Sequence, residues 1–307
     1  MKTTMTFKET LIYLQSQGCS YHFLFEFFKL GVSQQLANAQ FDVHSLLDLI
    51  EKTGRVIGGR RIKRPDKRPL LQNFASHTML VQKLAHKAFM IGDACYPLNW
   101  LELAQPPLLI FFEGDLGCLK KPCISVVGTR DISPYGREIV QQLVTEFADQ
   151  NWVSVSGLAK GVDTAVHLAA SQRRPASTIA ILANGFDYTY PHENVNLQAE
   201  MSMTQLLLSE YLPSEKARRH QFVMRNRLVA GLSFVTVVIE AAKRSGSLIT
   251  ANYALQNNRE LYVLPGRITD APSYGCNSLI QHGAIPIVSV AECVADLREL
   301  FRNTGVE

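Results

Sequence analysis

From about residue 105 onward, short aliphatic and β-branched runs alternate with stretches of helical character, and few architectures accept that alternation. The runs are Leu108 to Phe112, Ile124 to Val127, Trp152 to Val155, Thr178 to Leu182, Leu206 to Leu208, Phe234 to Ile239 and Leu261 to Leu264. Strands separated by helices need crossover connections, which stack helices on both faces of a mostly parallel sheet. The expectation is therefore an α/β chain with a doubly wound sheet. Ser133 and Pro134 stand in cap and first-turn positions for one such helix, with Tyr135, Ile139, Leu143 and Phe147 along one face. In sheets of this kind ligands sit beyond the carboxyl ends of the strands, so the chemistry is sought in the loops there.

Three of those loops have a composition suited to anions. Val126 and Val127 lead into Gly128-Thr129-Arg130; Val153 to Val155 lead into Ser156-Gly157-Leu158-Ala159-Lys160-Gly161; and Val237 to Glu240 lead through Lys243-Arg244 into Ser245-Gly246-Ser247, with a helix expected from Leu248. Small residues permit close backbone approach, and the helix that follows offers unpaired amides and a favourable dipole end. Each signal alone is weak, whereas their coincidence on one sheet edge suits a string of phosphates. A fourth element adds Arg218, Arg219, Arg225 and Arg227, expected at the head of a helix. Lys160 precedes Gly161 instead of following it before Ser or Thr, so the second loop is not a P-loop. No Gly-x-Gly-x-x-Gly follows any of the runs, which argues against a dinucleotide cofactor.

Residues 1 to about 75 read as a small helical domain, with Gly31 as a helix stop and Ser33 and Asp42 as N-caps. Its cluster Phe23, Leu24, Phe25, Phe27 and Phe28 is open to two readings, a packed core or a platform for stacked bases. Residues 54–69 carry Arg55, Arg60, Arg61, Lys63, Arg64, Lys67 and Arg68 among glycines and prolines, a linker that is either merely solvated or an auxiliary phosphate-contacting arm. A second domain is expected over 85–307. Net charge is a modest +4, so its distribution matters more than its total. Six scattered cysteines without a Cys-x-x-Cys pair suit reduced thiols in a cytoplasmic protein, with no metal and no cofactor. Neither a signal peptide nor a membrane span is expected.

Taken in order, several blocks resemble the DNA-processing protein A family, also called Smf. They are Val127-Gly128-Thr129-Arg130, SGLAKGVDTAVH from Ser156 to His167, Tyr190-Pro191 with Asn194, and Arg225-Asn226-Arg227 with AGLS from Ala230 to Ser233. SGSLITA from Ser245 to Ala251, Leu264-Pro265-Gly266 and GCNSLIQHGA from Gly275 to Ala284 follow. The resemblance spans roughly residues 90 to 300. It implies an extended Rossmann-like fold whose basic pocket binds single-stranded DNA, a homodimer formed through the C-terminal part, and loading of the RecA recombinase in natural transformation. Carried over motif by motif, the pocket would hold Arg130, Ser156, Gly157, Lys160, Arg225, Arg227, Ser245, Gly246 and Ser247. Leu279, Ile280 and Ile285 would lie on the dimer surface. Phe222-Val223 stands where the family often has Phe-Pro, Ala183-Asn184-Gly185 replaces a more glycine-rich turn, and no winged-helix domain is expected after Glu307.

The rival is a nucleotide-binding enzyme or sensor of the phosphoribohydrolase-like Rossmann group. Such enzymes need a Pro-Gly-Gly loop and a glutamate nearby, whereas Pro265-Gly266 continues as Arg267-Ile268-Thr269. Glu240 could act as a base, or could fix a neighbouring arginine. Cys276 and His282, six residues apart on a helix, would point to different faces and make a poor nucleophile-base pair. Tyr188, Tyr190 and Tyr274 fall in loops where a ring could stack on a base or simply pack. The residues therefore favour a binder with no catalytic residues.

Overall fold

The computed structural model describes residues 3–53, 56–57, 60–173 and 175–305. The chain forms two compact units, one of Met1–Asp93 with Leu108–Phe111 and one of Ala94–Pro107 with Phe112–Glu307.

Local capping signals set the helices of the first unit. In α1 (Phe7–Ser16) the Thr6 hydroxyl accepts from the Glu9 amide at 3.2 Å, and the Glu9 carboxylate accepts from the Thr6 amide at 2.8 Å. Ser20 caps α2 (Tyr21–Ser33), and Asp42 caps α3 (Val43–Lys52) as expected. Gly31 does not stop α2. It lies inside the helix, where a Cβ would come within 2.2 Å of the Phe7 ring. Ser33 closes α2 instead of starting a helix, its hydroxyl donating to the Leu30 carbonyl. Phe7, Phe23 and Phe27 are fully buried, and Phe7 stacks on Phe27 at 5.8 Å, so the aromatic cluster is a core.

The helix α4 (Lys67–Ala85) begins inside the basic stretch, with Asp66 as its cap. It also carries the helical unit past the expected limit at 75. Arg64 donates to the carbonyls of Glu51 and Thr53 at the end of α3, and Lys67 pairs with Glu51. Those cations are tied to the unit's own backbone and acid. Gly54, Arg55, Gly58 and Gly59 lie outside the described residues, as do the side chains of Arg60 and Arg61. Three antiparallel pairs complete this part of the chain: β1 (Met5–Thr6) with β2 (Gln40–Phe41), β3 (Val56–Ile57) with β4 (Arg60–Arg61), and β5 (Ala88–Met90) with β6 (Leu109–Gly114).

The second unit is doubly wound. Its strands are β7 (Cys123–Val127), β8 (Val153–Ser156), β9 (Thr178–Leu182), β10 (Leu206–Ser209), β11 (Val235–Val238), β12 (Glu260–Val263) and β13 (Ile285–Pro286). They lie in the order β13-β12-β11-β7-β8-β9-β10, all pairings parallel. The helices α5 (Pro134–Asp149), α6 (Val162–Arg173) and α11 (Val290–Thr304) share one core with Ile124 and Val126 of β7. The intervening Ser125 points to the other face, where its hydroxyl donates at 2.6 Å to the Val229 carbonyl of α8 (Arg219–Leu232). The helix α9 (Gly246–Gln256) packs beside α8, while α7 (Val195–Thr204) and α10 (Tyr274–Gln281) follow β9 and β12. Alternating sides of one strand thus serve two helical layers.

Ser133 caps α5 with Pro134 in its first turn, as the sequence implies, its hydroxyl accepting from the Gly136 amide at 3.0 Å. The buried stripe of α5 runs through Gly136, Val140, Leu143, Val144 and Phe147, which leaves Tyr135 exposed. Phe147, Trp152 and Phe301 meet beneath it, and each fully buried ring of this size stabilises by about 2–3 kcal/mol.

Candidate nucleic-acid interface

The chain leaves β7 towards β8 on one side and returns to β11 on the other. Beyond the carboxyl ends of those two strands, at this reversal, opens a cleft of about 730 Å³. The first loop (Val127 to Arg130), Gly157 and Ala159 of the second, and Ala242 and Ser245 to Ser247 of the third all line it. Helix α8 adds Arg219, Phe222, Val223, Arg225, Asn226 and Val229 to the wall, and Tyr190 stands opposite in the lining as well.

Three helix N-termini come to this sheet edge, and two are already neutralised from within. At α5 the Glu240 carboxylate accepts from the Ser133 amide at 2.9 Å and from the Ser133 hydroxyl. Glu240 therefore fixes a helix cap and not a neighbouring arginine. In the loop before α6, the Asp163 carboxylate accepts from the amides of Gly157 at 3.1 Å and Ala159 at 3.2 Å. Those amides, expected to be unpaired, are spent. At α9 the Ser245 hydroxyl accepts weakly from the Ser247 amide, and the Gly246 amide has no acceptor among the described residues. A Cβ at Gly246 would meet nothing within 4 Å. This end alone of the three stands open to an anion.

Arg130 is exposed, its guanidinium 5.9 Å from the centre of the Phe222 ring. That ring meets Tyr190 edge to face at 5.0 Å, and Tyr190 is 46 % exposed. The result is a cation over a partly open aromatic pair.

Other expected pocket residues make contacts within the protein. Arg225 and Arg227 lie in the middle of α8, not at its head, where Arg218 and Arg219 stand. Arg225 shares the inward stripe with Gln221, Leu228 and Leu232, all buried. Its guanidinium donates to the carbonyls of Gly157 and Ile181, and burial pulls its pKa down against the opposing pull of Asp163. Gly157 leaves room for it, because a Cβ there would lie 2.1 Å from that guanidinium and displace it. Arg227 is buried against Glu210, one nitrogen reaching both carboxylate oxygens at 2.7 and 2.8 Å. Burial outweighs the arginine and pushes the Glu210 carboxyl up. Neither arginine offers a free cation. The Ser156 hydroxyl is buried and donates to the Val126 carbonyl at 2.7 Å. Lys160 is absent from the cleft wall, and its pairing with Glu193 holds that carboxyl below its usual range.

The candidates for chemistry are equally occupied. Burial pushes the Cys276 thiol up to about 12, and His282 ends α10 with its Nδ1 turned to the Ser278 carbonyl. Among the described residues there is no cluster of three metal-ligating side chains, and no helix is long and apolar enough to cross a membrane. Asp163, Phe222 and Glu193 were not singled out in the sequence as site residues, and Arg219 was read only as part of the basic run. The 219, 222, 226 and 229 periodicity of α8 marks its cleft face, which the buried Arg225 also lines.

The family model for DNA recombination-mediator protein A matches residues 87–298. The chain belongs to this family. It is 42% identical over 209 residues to the DNA processing protein DprA of Streptococcus pneumoniae, a match covering 68% of this chain and 73% of that protein. The X-ray structure of DprA from Streptococcus pneumoniae superposes with a TM-score of 0.78 at 32% identity, covering 95% of this chain and 98% of the other. DNA processing protein A from Helicobacter pylori, whose structure concerns a single-stranded DNA binding mode, gives a TM-score of 0.63 at 30% identity. That superposition covers 69% of this chain and 96% of the other. The blocks from Gly128 to Ala284 that carry the resemblance all fall inside the stretch matched to the DNA recombination-mediator protein A family.

Proposed function

We propose that this chain binds single-stranded DNA by its backbone in the cleft between β7 and β11, without altering it chemically. One observation carries this: an open helix N-terminus, an exposed arginine and a half-exposed aromatic pair converge on one cleft. They supply the anion, cation and stacking contacts that a single strand needs. The DNA-binding relative from Helicobacter pylori supports the reading, as does the engagement of Glu240 and Cys276 in holding structure. The binding set becomes Arg130, Arg219, Phe222, Tyr190, Ser245, Gly246 and Ser247, with Gly157 and Arg225 shaping the wall. The same reading has the strand delivered to the RecA recombinase in the cytoplasm; the family's description as a recombination mediator supports the recombination part of it.

Salt dependence tests the placement. Each phosphate neutralised on a single strand contributes roughly 0.7 to the slope of log affinity against log salt. Arg130→Ala and Arg219→Ala are each expected to flatten that slope by about 0.7 for all oligonucleotide sequences alike. Lys160→Ala should cost less, since Glu193 already matches its charge. Unchanged slopes in both arginine variants would displace the site.

The same reading includes a homodimer built on the C-terminal segment. Leu279 and Ile280 are partly exposed on α10, while Ile285 on the edge strand β13 packs against the core. Leu279→Glu is therefore the informative variant. It is expected to sediment as a monomer with an unchanged circular dichroism melt, because a C2 interface repeats the charge twice. A wild-type protein that is monomeric at high concentration overturns the dimer.

A further inference from the structure

Two more aromatic–cation pairs flank the cleft, and neither is part of its wall. Tyr188, 37 % exposed in the loop after β9, has the Lys216 ammonium 5.3 Å from its ring centre. Tyr274, 54 % exposed at the start of α10, has the Lys243 ammonium at the same 5.3 Å. Both adjoin the cleft through short, hydrogen-bonded backbone. Lys216 precedes Ala217 of the wall, and the loops bearing Tyr188 and Lys216 are joined by Gly185 to Glu215 and Asp187 to Pro213 bonds of 2.8 and 3.0 Å. At the other end Lys243 follows Ala242 of the wall, and the Gly275 amide donates to the Ala241 carbonyl at 2.7 Å. Each pair leaves an aromatic face and a cation at the surface, the composition that sequence-independent single-strand binding requires.

We infer that Tyr188–Lys216 and Tyr274–Lys243 are outer nucleotide subsites, one at each end of the central cleft. They extend it into a track along the carboxyl edge from β10 and β9 to β12. Five strand intervals at ~4.8 Å give a path of roughly 24 Å. At the ~3.4 Å axial rise per nucleotide of a stacked strand that path accommodates about seven nucleotides, and fewer in an extended one. The rings stack on outer bases, and the lysines neutralise their phosphates. This rests on the single-stranded DNA reading of the central cleft.

The test measures fluorescence anisotropy with dT3, dT12 and a dT12 whose four outer nucleotides at each end are abasic. Tyr188→Ala and Tyr274→Ala are each expected to weaken dT12 binding about tenfold, with dT3 and the abasic-flanked strand unaffected. Tyr188→Phe and Tyr274→Phe should bind like the wild type. Lys216→Ala and Lys243→Ala should each flatten the dT12 salt slope by about 0.7. Undiminished dT12 binding in both alanine variants, or equal losses on dT3 and dT12, overturns the outer subsites and leaves the central cleft standing. A wild-type protein that binds none of the three strands overturns the central reading itself.

Discussion

Arg225→Ala is expected to destabilise the second unit by about 3–5 kcal/mol, through lost structure and not lost DNA contact. Arg225 is 5% exposed, and its guanidinium donates to the carbonyls of Gly157 and Ile181. Removing it strands two buried acceptors and leaves the Asp163 carboxylate facing a cavity. For a domain of this size the melting temperature should fall by about 10 °C. Arg225→Lys should recover part of that, since one ammonium keeps the charge but not the fork. Arg130→Ala, at the exposed side of the same cleft, should melt like the wild type. Thermal unfolding of the three variants decides the matter. An Arg225→Ala protein that melts within 2 °C of wild type, roughly 1 kcal/mol or less, would return this arginine to the list of phosphate ligands.

His167 makes the fold acid-sensitive. It is completely buried, and its Nδ1 lies 2.8 Å from the Thr178 hydroxyl, whose own proton goes to the Ser154 carbonyl. Nδ1 is therefore the donor, and the bare Nε2 has no partner among the described residues. Protonating Nε2 would bury an unpaired charge near Arg225. Burial first, and Arg225 second, push this imidazole down to about 3 from 6.5. The unfolded chain takes up the proton below 6.5 and the folded one does not. Stability is thus complete above pH 6.5 and lost as pH falls towards 3, at about 1.4 kcal/mol per unit. Between pH 6.5 and 5 the loss is about 2 kcal/mol. Urea melts of wild type and His167→Asn over pH 5 to 7.5 test this. The variant should lack about one proton's worth of slope, and parallel curves would refute it.

The alternation of runs and helices was enough to reach the parallel sheet, because period and element length survive without tertiary information. The helix-start chemistry of Ser133-Pro134 and Asp42 was legible for the same reason. The third loop was placed correctly, though its helix starts two residues earlier than expected. What could not be read was ownership of charge. Asp163 lies six and four residues from the amides it satisfies, Glu240 more than a hundred, and Glu210 lies seventeen from Arg227. Only folding brings these carboxylates to the groups they neutralise. A list of basic residues therefore overcounted the cations left for a ligand. The inward turn of Arg225 was partly visible in its helical register with Leu228 and Leu232, which the proximity of four arginines in sequence concealed.

The internal carboxylates at α5 and in the loop before α6 have a consequence for competition. A free nucleotide carries its phosphates as one compact group, and of the three helix ends at this edge α9's alone is open to receive it. A monomer in the cleft gains one anchor and a stacking partner, then dissociates. A polymer gains every anchor along the edge at once, each later contact being intramolecular. On the single-stranded DNA reading, the filling of these anion sites from within would deny small metabolites a foothold in the groove. Strand length, not base identity, would then decide what is held.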